Sequence, residues 1–253
     1  MKNLLIMFVI MTAVIACNGT TSSRNLRSNV VTDEAVIANI NLGVQYMNQE
    51  NYEQALDRLE RARSIDPYYP QTYNMLGLLY QQLGEYDLAD NSFRRAISLN
   101  GNDAATLNNY GQFLYTRQDC KRAEELFLKA ARNPLYETPE VAFFNAGRCA
   151  LTQNDLDKAE DYFRQALVKN PRMSQGLIMM ADLSLRKKNY LSGRAYIQRY
   201  VEVTPHTPRS LWLGIQIEQG LENQNAVSSY ALLLRNNFPD SREANLLRQS
   251  GLR

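Results

Sequence analysis

Proline, glycine and alanine recur along this chain with a step of 34 residues. Pro171, Pro205 and Pro239 are separated by one such step each, and Pro67 precedes Pro171 by three steps plus two residues. Glycine keeps the same step in the first part of the chain, with a two-residue insertion before the last, at Gly43, Gly77, Gly111 and Gly147. A period of this length predicts an array of one repeated structural unit, and such arrays commonly serve as binding scaffolds.

Within each unit, apolar and small residues occupy fixed places. In the first unit these residues are Leu42, Gly43, Tyr46, Ala55, Leu59, Ala62 and Pro67. This pattern resembles the tetratricopeptide repeat, in which two antiparallel helices approach closely where the residues are small and a proline ends the second helix. The resemblance implies an all-α fold, a tetratricopeptide-repeat superhelix of about six helix-turn-helix units.

The repeat divides the chain into segments. The predicted units cover 36–69, 70–103, 104–137, 140–173, 174–207 and 208–241, and the last two are degenerate. Residues 242–253 are predicted to form a short capping segment, because the end of a repeat array must cover its last apolar face.

The N-terminus predicts export and attachment to a lipid. Lys2 precedes an apolar run from Leu4 to Ala16, which is shorter than the roughly 20 residues of a stable membrane-spanning helix. The run ends at Cys17 in a sequence that resembles a bacterial lipobox, in which the cysteine thiol receives diacylglycerol. We predict a lipoprotein signal peptide over 1–16 and a lipid-anchored, flexible tether over 17–35, rich in Ser, Thr and Asn. An ordinary signal peptide with an incidental cysteine is the alternative.

The residue after the lipobox cysteine bears on localisation. In Gram-negative lipoproteins an Asp at this place tends to retain the protein in the inner membrane, whereas this chain has Asn18. The resemblance therefore implies a lipid-anchored protein on the periplasmic face of the outer membrane. Three acyl chains on one cysteine, palmitate among them, carry enough methylene groups for stable anchoring.

The first helix of each unit is predicted to line a concave groove through positions that do not face its partner helix. In the first unit all of these positions are apolar: Ile37, Ile40, Val44 and Met47. An apolar surface facing water calls for a partner, or for the tether to fold back as a cap. Further along, the groove positions carry aromatic, aliphatic, amide and arginine side chains: Asn74, Leu78, Asn108, Gln112, Tyr115, Phe144, Arg148 and Trp212. This composition suits an apolar peptide whose backbone hydrogen-bonds to Asn and Gln.

The sequence lacks the residues that two other classes of function require. Asn109 and Arg148 match two positions of the clamp with which some tetratricopeptide proteins hold a C-terminal carboxylate, but the lysines of that clamp are missing. The sole histidine, His206, has no cysteine or paired carboxylate at ligand spacing, and no phosphate-cradling glycine loop occurs. We therefore predict no enzyme, no cofactor, no metal and no small-molecule substrate. The net charge of +2 also gives no reason to expect nucleic acid.

Two cysteines besides Cys17 remain for the oxidising periplasm. Cys120 is placed at the start of the second helix of the third unit, and Cys149 late in the first helix of the fourth unit. Adjacent antiparallel helices would bring the two within the roughly 4.4–6.8 Å Cα separation of a disulfide. A Cys120–Cys149 bridge and a pair of buried free thiols are the two alternatives.

Two segments carry a more specific resemblance. Residues 107–115 read Leu-Asn-Asn-Tyr-Gly-Gln-Phe-Leu-Tyr, and residues 209–215 read Arg-Ser-Leu-Trp-Leu-Gly-Ile. With the lipobox, the polar tether and six units, they resemble the PilF/PilW family of type IV pilus biogenesis lipoproteins, the pilotins. That resemblance implies a protein that binds the secretin subunit of the type IV pilus and promotes its outer-membrane localisation and multimerisation. The alternatives are an adaptor for peptidoglycan hydrolases and a part of another envelope assembly machine.

Overall fold

The structure is a computed structural model, and it describes residues 22–251. Every regular element in that range is an α-helix, which confirms the all-α prediction for the described part of the chain. The chain divides into two compact units, Met1–Thr72 and Tyr73–Arg253.

The first unit contains the helix pair α1 (Ser22–Asn48) and α2 (Tyr52–Ile65), and α3 (Pro70–Leu83) begins in it. The second unit contains the rest of α3 and the following helices: α4 (Tyr86–Leu99), α5 (Ala104–Thr116), α6 (Cys120–Ala131), α7 (Pro139–Thr152), α8 (Leu156–Lys169), α9 (Ser174–Arg186), α10 (Tyr190–Val201), α11 (Pro208–Gly220), α12 (Gln224–Asn237) and α13 (Arg242–Gln249).

Helix α1 begins earlier than the sequence analysis predicts. The tether was expected over 17–35, but α1 starts at Ser22, so residues 22–35 are helical. The physical reason is that no proline and no glycine interrupts the chain between Ser22 and Leu42, and a helix propagates readily once it is nucleated. Residues 1–21, with the predicted signal peptide and Cys17, lie outside the described residues.

Helices pair where a glycine on one faces a large side chain on the other. A Cβ atom built on Gly147 of α7 would lie 2.6 Å from Cε1 of Phe163 in α8. In the same way, Gly111 of α5 faces Phe127 of α6 at 2.7 Å. Because the glycines leave this space empty, the phenylalanine rings fill it and are fully buried. The 34-residue spacing of these glycines is therefore also the spacing of the close helix contacts.

The turn inside each helix pair has a constant geometry. One residue per turn has a positive φ of 57–79°, and these residues again follow the 34-residue step, at Glu50, Gly84, Gln118, Asn154, Lys188 and Glu222. In four of the six turns the next residue is an Asp or Asn whose side chain accepts a hydrogen bond from the third residue of the second helix, as Asp119 does from Arg122. The left-handed residue reverses the chain, and the acceptor then caps the new helix.

The last helix covers the end of the array in the second unit. Helix α13 packs against α11 and α12, and its Ala244 and Leu247 are fully buried in a cluster with Leu211 and Leu234. Ser241 caps α13 by accepting a hydrogen bond from the backbone N–H of Ala244 at 3.1 Å. Residues 242–249 thus form a helix at the end of the array, within the segment 242–253 for which the sequence analysis predicts a cap.

We expect Gly147→Val to lower the free energy of unfolding by about 1–3 kcal/mol, because the added methyl groups would overlap Phe163 in a closely packed core. Ala195→Val, at an exposed position of α10, is the matched control and should change the free energy by less than about 0.5 kcal/mol. Urea unfolding followed by circular dichroism measures both. Equal losses in the two variants would contradict the close approach of α7 and α8.

Candidate functional site

Asparagine side chains join the first helices of neighbouring pairs in the second unit. Nδ2 of Asn109 in α5 donates to Oδ1 of Asn74 in α3 at 3.2 Å, and Nδ2 of Asn145 in α7 donates to Oδ1 of Asn108 in α5, also at 3.2 Å. These bonds hold α3, α5 and α7 side by side through their first-helix faces.

The amide bonds correct part of the sequence analysis. Asn74 and Asn108 were expected to hydrogen-bond a peptide backbone. Instead, the side-chain carbonyl oxygen of each accepts a hydrogen bond from an asparagine of a neighbouring helix. Asn74 is also buried, with 3% of its surface exposed. The reason is that the first helices lie close enough for one amide to reach the next, which satisfies polar groups that burial would otherwise leave unpaired.

A depression of about 520 Å³ opens between the first helices α5, α7, α9 and α11. Its floor and walls include an aromatic pair, Tyr115 and Phe144, which the sequence analysis predicts as groove residues. We call this depression the arginine groove and define it by Tyr115, Phe144, Arg148, Leu151, Thr152, Met179, Arg186 and Arg209.

Arg148 is held over an aromatic ring within the arginine groove. Its guanidinium carbon lies 4.3 Å from the centroid of the Tyr115 ring, and its Nη1 is 3.4 Å from Oδ1 of Asn145. A stacked guanidinium of this kind gains about 0.5–1 kcal/mol at an accessible site. The neighbouring Phe144 ring packs on Phe163 of α8, with centroids 5.5 Å apart. The contacts with Tyr115 and Asn145 thus orient the Arg148 guanidinium within the groove.

The arginine groove is positively charged. Three arginines and no carboxylate line it. Arg186 forms an ion pair with Asp182 at 2.8 Å, and the guanidinium of Arg209 is 3.6 Å from the Met179 sulfur. Arginine binds carboxylates through two parallel hydrogen bonds, and aromatic rings accept apolar side chains. The groove therefore favours a partner segment that carries both acidic and apolar residues, whereas the sequence analysis expected an apolar one.

The sequence analysis does not predict Asn145, nor the groove residues Thr152, Met179, Arg186 and Arg209. Arg209 was findable, because the 34-residue register, with its two-residue insertion, gives it the same place in its unit as Ile37 in the first. Asn145 and Arg186 had no such signal, since their roles depend on which neighbouring helix each side chain reaches.

The remaining predicted residues of the second unit lie outside the arginine groove. Gln112 is exposed, and Leu78 and Trp212 are half-buried. Trp212 packs against the buried cluster that α11, α12 and α13 form around Leu211 and Ile215, so at least part of its side chain serves the core.

The first unit buries half of the predicted apolar stripe. Ile40 and Met47 are 2% and 8% exposed, whereas Ile37 is 42% exposed and Val44 is half-buried. The correction has a geometric cause. At about 100° per residue, Ile40 and Met47 lie within about 60° of Gly43 around α1, and Gly43 faces Leu59 of α2. Ile40 and Met47 therefore point towards the partner helix, whereas Ile37 and Val44 point away from it.

The two cysteines meet in the second unit as free, buried thiols. Burial raises the pKa of the Cys149 thiol well above its ordinary value, and the neighbouring Cys120, hydrogen-bonded to it, raises this pKa further. Glu124 lies beside them, where its carboxylate accepts a hydrogen bond from the Tyr162 hydroxyl at 2.9 Å and pairs with Lys158 at 2.6 Å. The helices α6 and α7 thus bring the thiols together as the sequence predicts, and the bridge itself stays a prediction.

Comparison with known families agrees with the helix pairs. Models of the tetratricopeptide repeat match residues 33–102, 74–137 and 141–173. The chain is 30% identical to the type IV pilus assembly protein PilF of Pseudomonas aeruginosa over 238 residues, which cover 94% of each protein. The chain belongs to the PilF/PilW family.

Solved structures of this family superpose on the chain. A Pseudomonas aeruginosa PilF structure is 32% identical, with a TM-score of 0.78 over 87% of this chain and 99% of that one. A crystal structure of PilW, described as a widely conserved type IV pilus biogenesis factor, is 29% identical, with a TM-score of 0.73 over 84% and 98%. As a PilF/PilW family member, the chain is a tetratricopeptide protein of type IV pilus biogenesis.

A more distant neighbour supports the fold only. YrrB, a tetratricopeptide protein, is 15% identical with a TM-score of 0.64, over 76% of this chain and 97% of its own. In the part of this family member that the structure describes, no group of three or more His, Cys, Asp or Glu side chains could hold a metal ion. None of the described helices has the length and apolarity to cross a bilayer.

In an oxidising compartment, we expect the thiols of Cys120 and Cys149 to oxidise to a bridge. Closing a loop of about 30 residues would stabilise the fold by about 3.6 kcal/mol. Labelling with a polymer-tagged maleimide under denaturing conditions should add no tag without reductant and two tags with it, in a Cys17→Ser chain where only this pair can react. The double variant Cys120→Ala, Cys149→Ala is the control, and its stability should not respond to reductant. Two tags without reductant would exclude the bridge.

Proposed function

We propose that this chain is a pilotin, which binds the secretin subunit of the type IV pilus and promotes its multimerisation in the outer membrane. The observation that carries the proposal is the similarity to PilF over 94% of both chains, which is not confined to a single repeat. The PilF/PilW resemblance of the sequence implies this role for the family. The scaffold of helix pairs favours binding over catalysis, in keeping with the tetratricopeptide family.

The arginine groove is our candidate site for the secretin segment. Support comes from its shape and its charge, because an extended chain segment fits between four first helices and the three arginines attract carboxylates. The aromatic platform of Tyr115 and Arg148 is set before binding, which lowers the entropy lost when a partner is ordered. In the first unit, Ile37 and Val44 offer a smaller apolar surface of the kind that aliphatic partner residues cover.

We further propose that the chain is attached by a lipid on Cys17 to the periplasmic face of the outer membrane. The proposal rests on the lipobox resemblance and on Asn18, which follows the cysteine in place of the Asp that retains lipoproteins in the inner membrane. In this arrangement the lipid anchor determines the membrane to which the complex goes, and the arginine groove binds the secretin.

Replacing the anchor separates transport from binding. In a strain that lacks the native protein, we expect Cys17→Ala to leave secretin subunits outside the outer membrane and unassembled, because the cargo then has no lipid to follow. Membrane fractionation and gel analysis of secretin multimers measure this, with the unaltered chain re-expressed as the control. Normal secretin rings in the deletion strain would refute the pilotin role.

The charge of the groove can be reversed at one accessible arginine. We expect Arg209→Glu to weaken binding of the secretin by about tenfold, because it replaces an attraction to carboxylates by a repulsion. Arg172→Glu, in the exposed turn before α9, is the control with the same change of charge and should bind like the unaltered chain. Pull-down of solubilised secretin over a range of protein concentrations compares them. Recovery of peptidoglycan hydrolases instead of secretin would favour the adaptor role.

A further inference from the structure

The segment between α6 and α7 presents a second surface in the second unit. Two residues more than the regular step separate these helices, and the connecting segment, 132–138, contains Pro134 and Leu135. Leu135 is 87% exposed, more than any other large hydrophobic residue in the described part of the chain. The end of α8 adds Val168, which is 73% exposed.

Hydrogen bonds hold this segment in one conformation. Nδ2 of Asn133 donates to the backbone carbonyl of Asn102 at 2.8 Å, and Oδ1 of Asn133 accepts from the backbone N–H of Leu135 at 2.9 Å. Tyr136 packs against the core, and burial raises the pKa of its hydroxyl. Leu135 is thus displayed by a turn that is anchored on both sides, and its exposure is a fixed feature of the fold.

Two depressions flank the turn. One, of about 510 Å³, lies towards α7 and α8, and Phe143 and Val168 give it an apolar wall. The other, of about 560 Å³, lies towards α5 and includes Leu107 and Leu135. Each has the size to receive large side chains of a partner, and the ridge of Asn133 and Pro134 between them belongs to both.

The charged residues around the two depressions are all basic. Lys129, Arg132 and Lys169 line them, and no carboxylate does. Among the described residues, none of the three cations has a carboxylate within 4.0 Å. Glu137 and Glu140 follow in the sequence but line neither depression.

We propose that this loop surface, defined by Lys129, Arg132, Pro134, Leu135, Val168 and Lys169, is a second docking site, and that it binds an acidic peptide segment of another protein with an aliphatic or aromatic residue at its centre. Charge complementarity identifies the carboxylates of the partner, and the exposed Leu135 and Val168 identify its apolar anchor. Paired depressions favour a peptide over a membrane surface, because a bilayer contacts protruding groups and does not fill concave ones.

The loop surface and the arginine groove are separate sites. They share no residue, and they are built from different parts of the helix pairs: the groove from first-helix faces, the loop surface from the ends of α6 and α8 and the turn between pairs. One chain could therefore hold a partner at each surface at the same time, and the second partner does not depend on the pilotin role.

The probe for this proposal is a random twelve-residue peptide library displayed on phage, panned against the full chain purified in detergent. Peptides that also bind the Leu135→Asp chain are removed by counter-selection. We expect the remaining peptides to be enriched in Asp and Glu around a leucine or an aromatic residue. Sequences without acidic enrichment, or no peptide that distinguishes the two chains, would overturn the proposal.

Fluorescence anisotropy of a selected, labelled peptide then tests the residues one by one. We expect Leu135→Asp and Arg132→Glu to weaken its binding at least tenfold, with circular dichroism confirming that each variant is folded. Leu191→Asp, at a leucine that is 67% exposed on α10, and Arg209→Glu in the groove should leave binding unchanged. Equal loss in Leu135→Asp and Leu191→Asp would overturn the proposal. So would sedimentation with phosphatidylglycerol vesicles that Leu135→Asp abolishes, in the absence of peptide binding, because it would assign the surface to a membrane.

Discussion

The close contact between a glycine on one helix and a bulky side chain on the next underlies the rest of this structure. In the second unit, Gly77, Gly111 and Gly147 each leave the space that a phenylalanine of the partner helix fills. Because this contact recurs at a constant step, the pairs α3–α4, α5–α6 and α7–α8 share the same internal packing, and the faces turned away from it are free to vary. The variable faces are where arginines, aromatic rings and exposed leucines collect.

The turns inside the helix pairs recur as regularly as the glycine contacts, but they depend less on the type of residue. A left-handed residue reverses the chain in all six turns, although only one of the six is a glycine. Such a conformation costs free energy for most residues, so the packing of the helices on either side has to hold it in place. The connection between helix pairs is less regular. The insertion between α6 and α7 lengthens one such connection and leaves the contact of Gly147 with Phe163 intact.

Charged side chains are unevenly distributed over the surface of this protein. A net charge of +2 suggests a nearly neutral molecule, yet the arginine groove and the loop surface each gather cations without carboxylates in their linings. Partner recognition by such patches depends on nearby charges, because those at longer distance are screened by salt. The two surfaces that we propose for acidic partners lie on a scaffold whose core is mainly apolar.

The sequence by itself determined the unit and its repetition. The 34-residue step of prolines and glycines predicted the helix pairs, because small residues at fixed spacing allow two helices to pack closely, and the segments 107–115 and 209–215 indicated the PilF/PilW family. It also brought Cys120 to Cys149, because their places follow from that step. Tertiary structure alone decided which side chains are available to a partner. Ile40 is buried because it lies on the side of α1 on which Gly43 faces α2. Asn74 is engaged by a neighbouring helix and Arg186 reaches the groove, because both outcomes depend on distances between helices that the sequence does not specify.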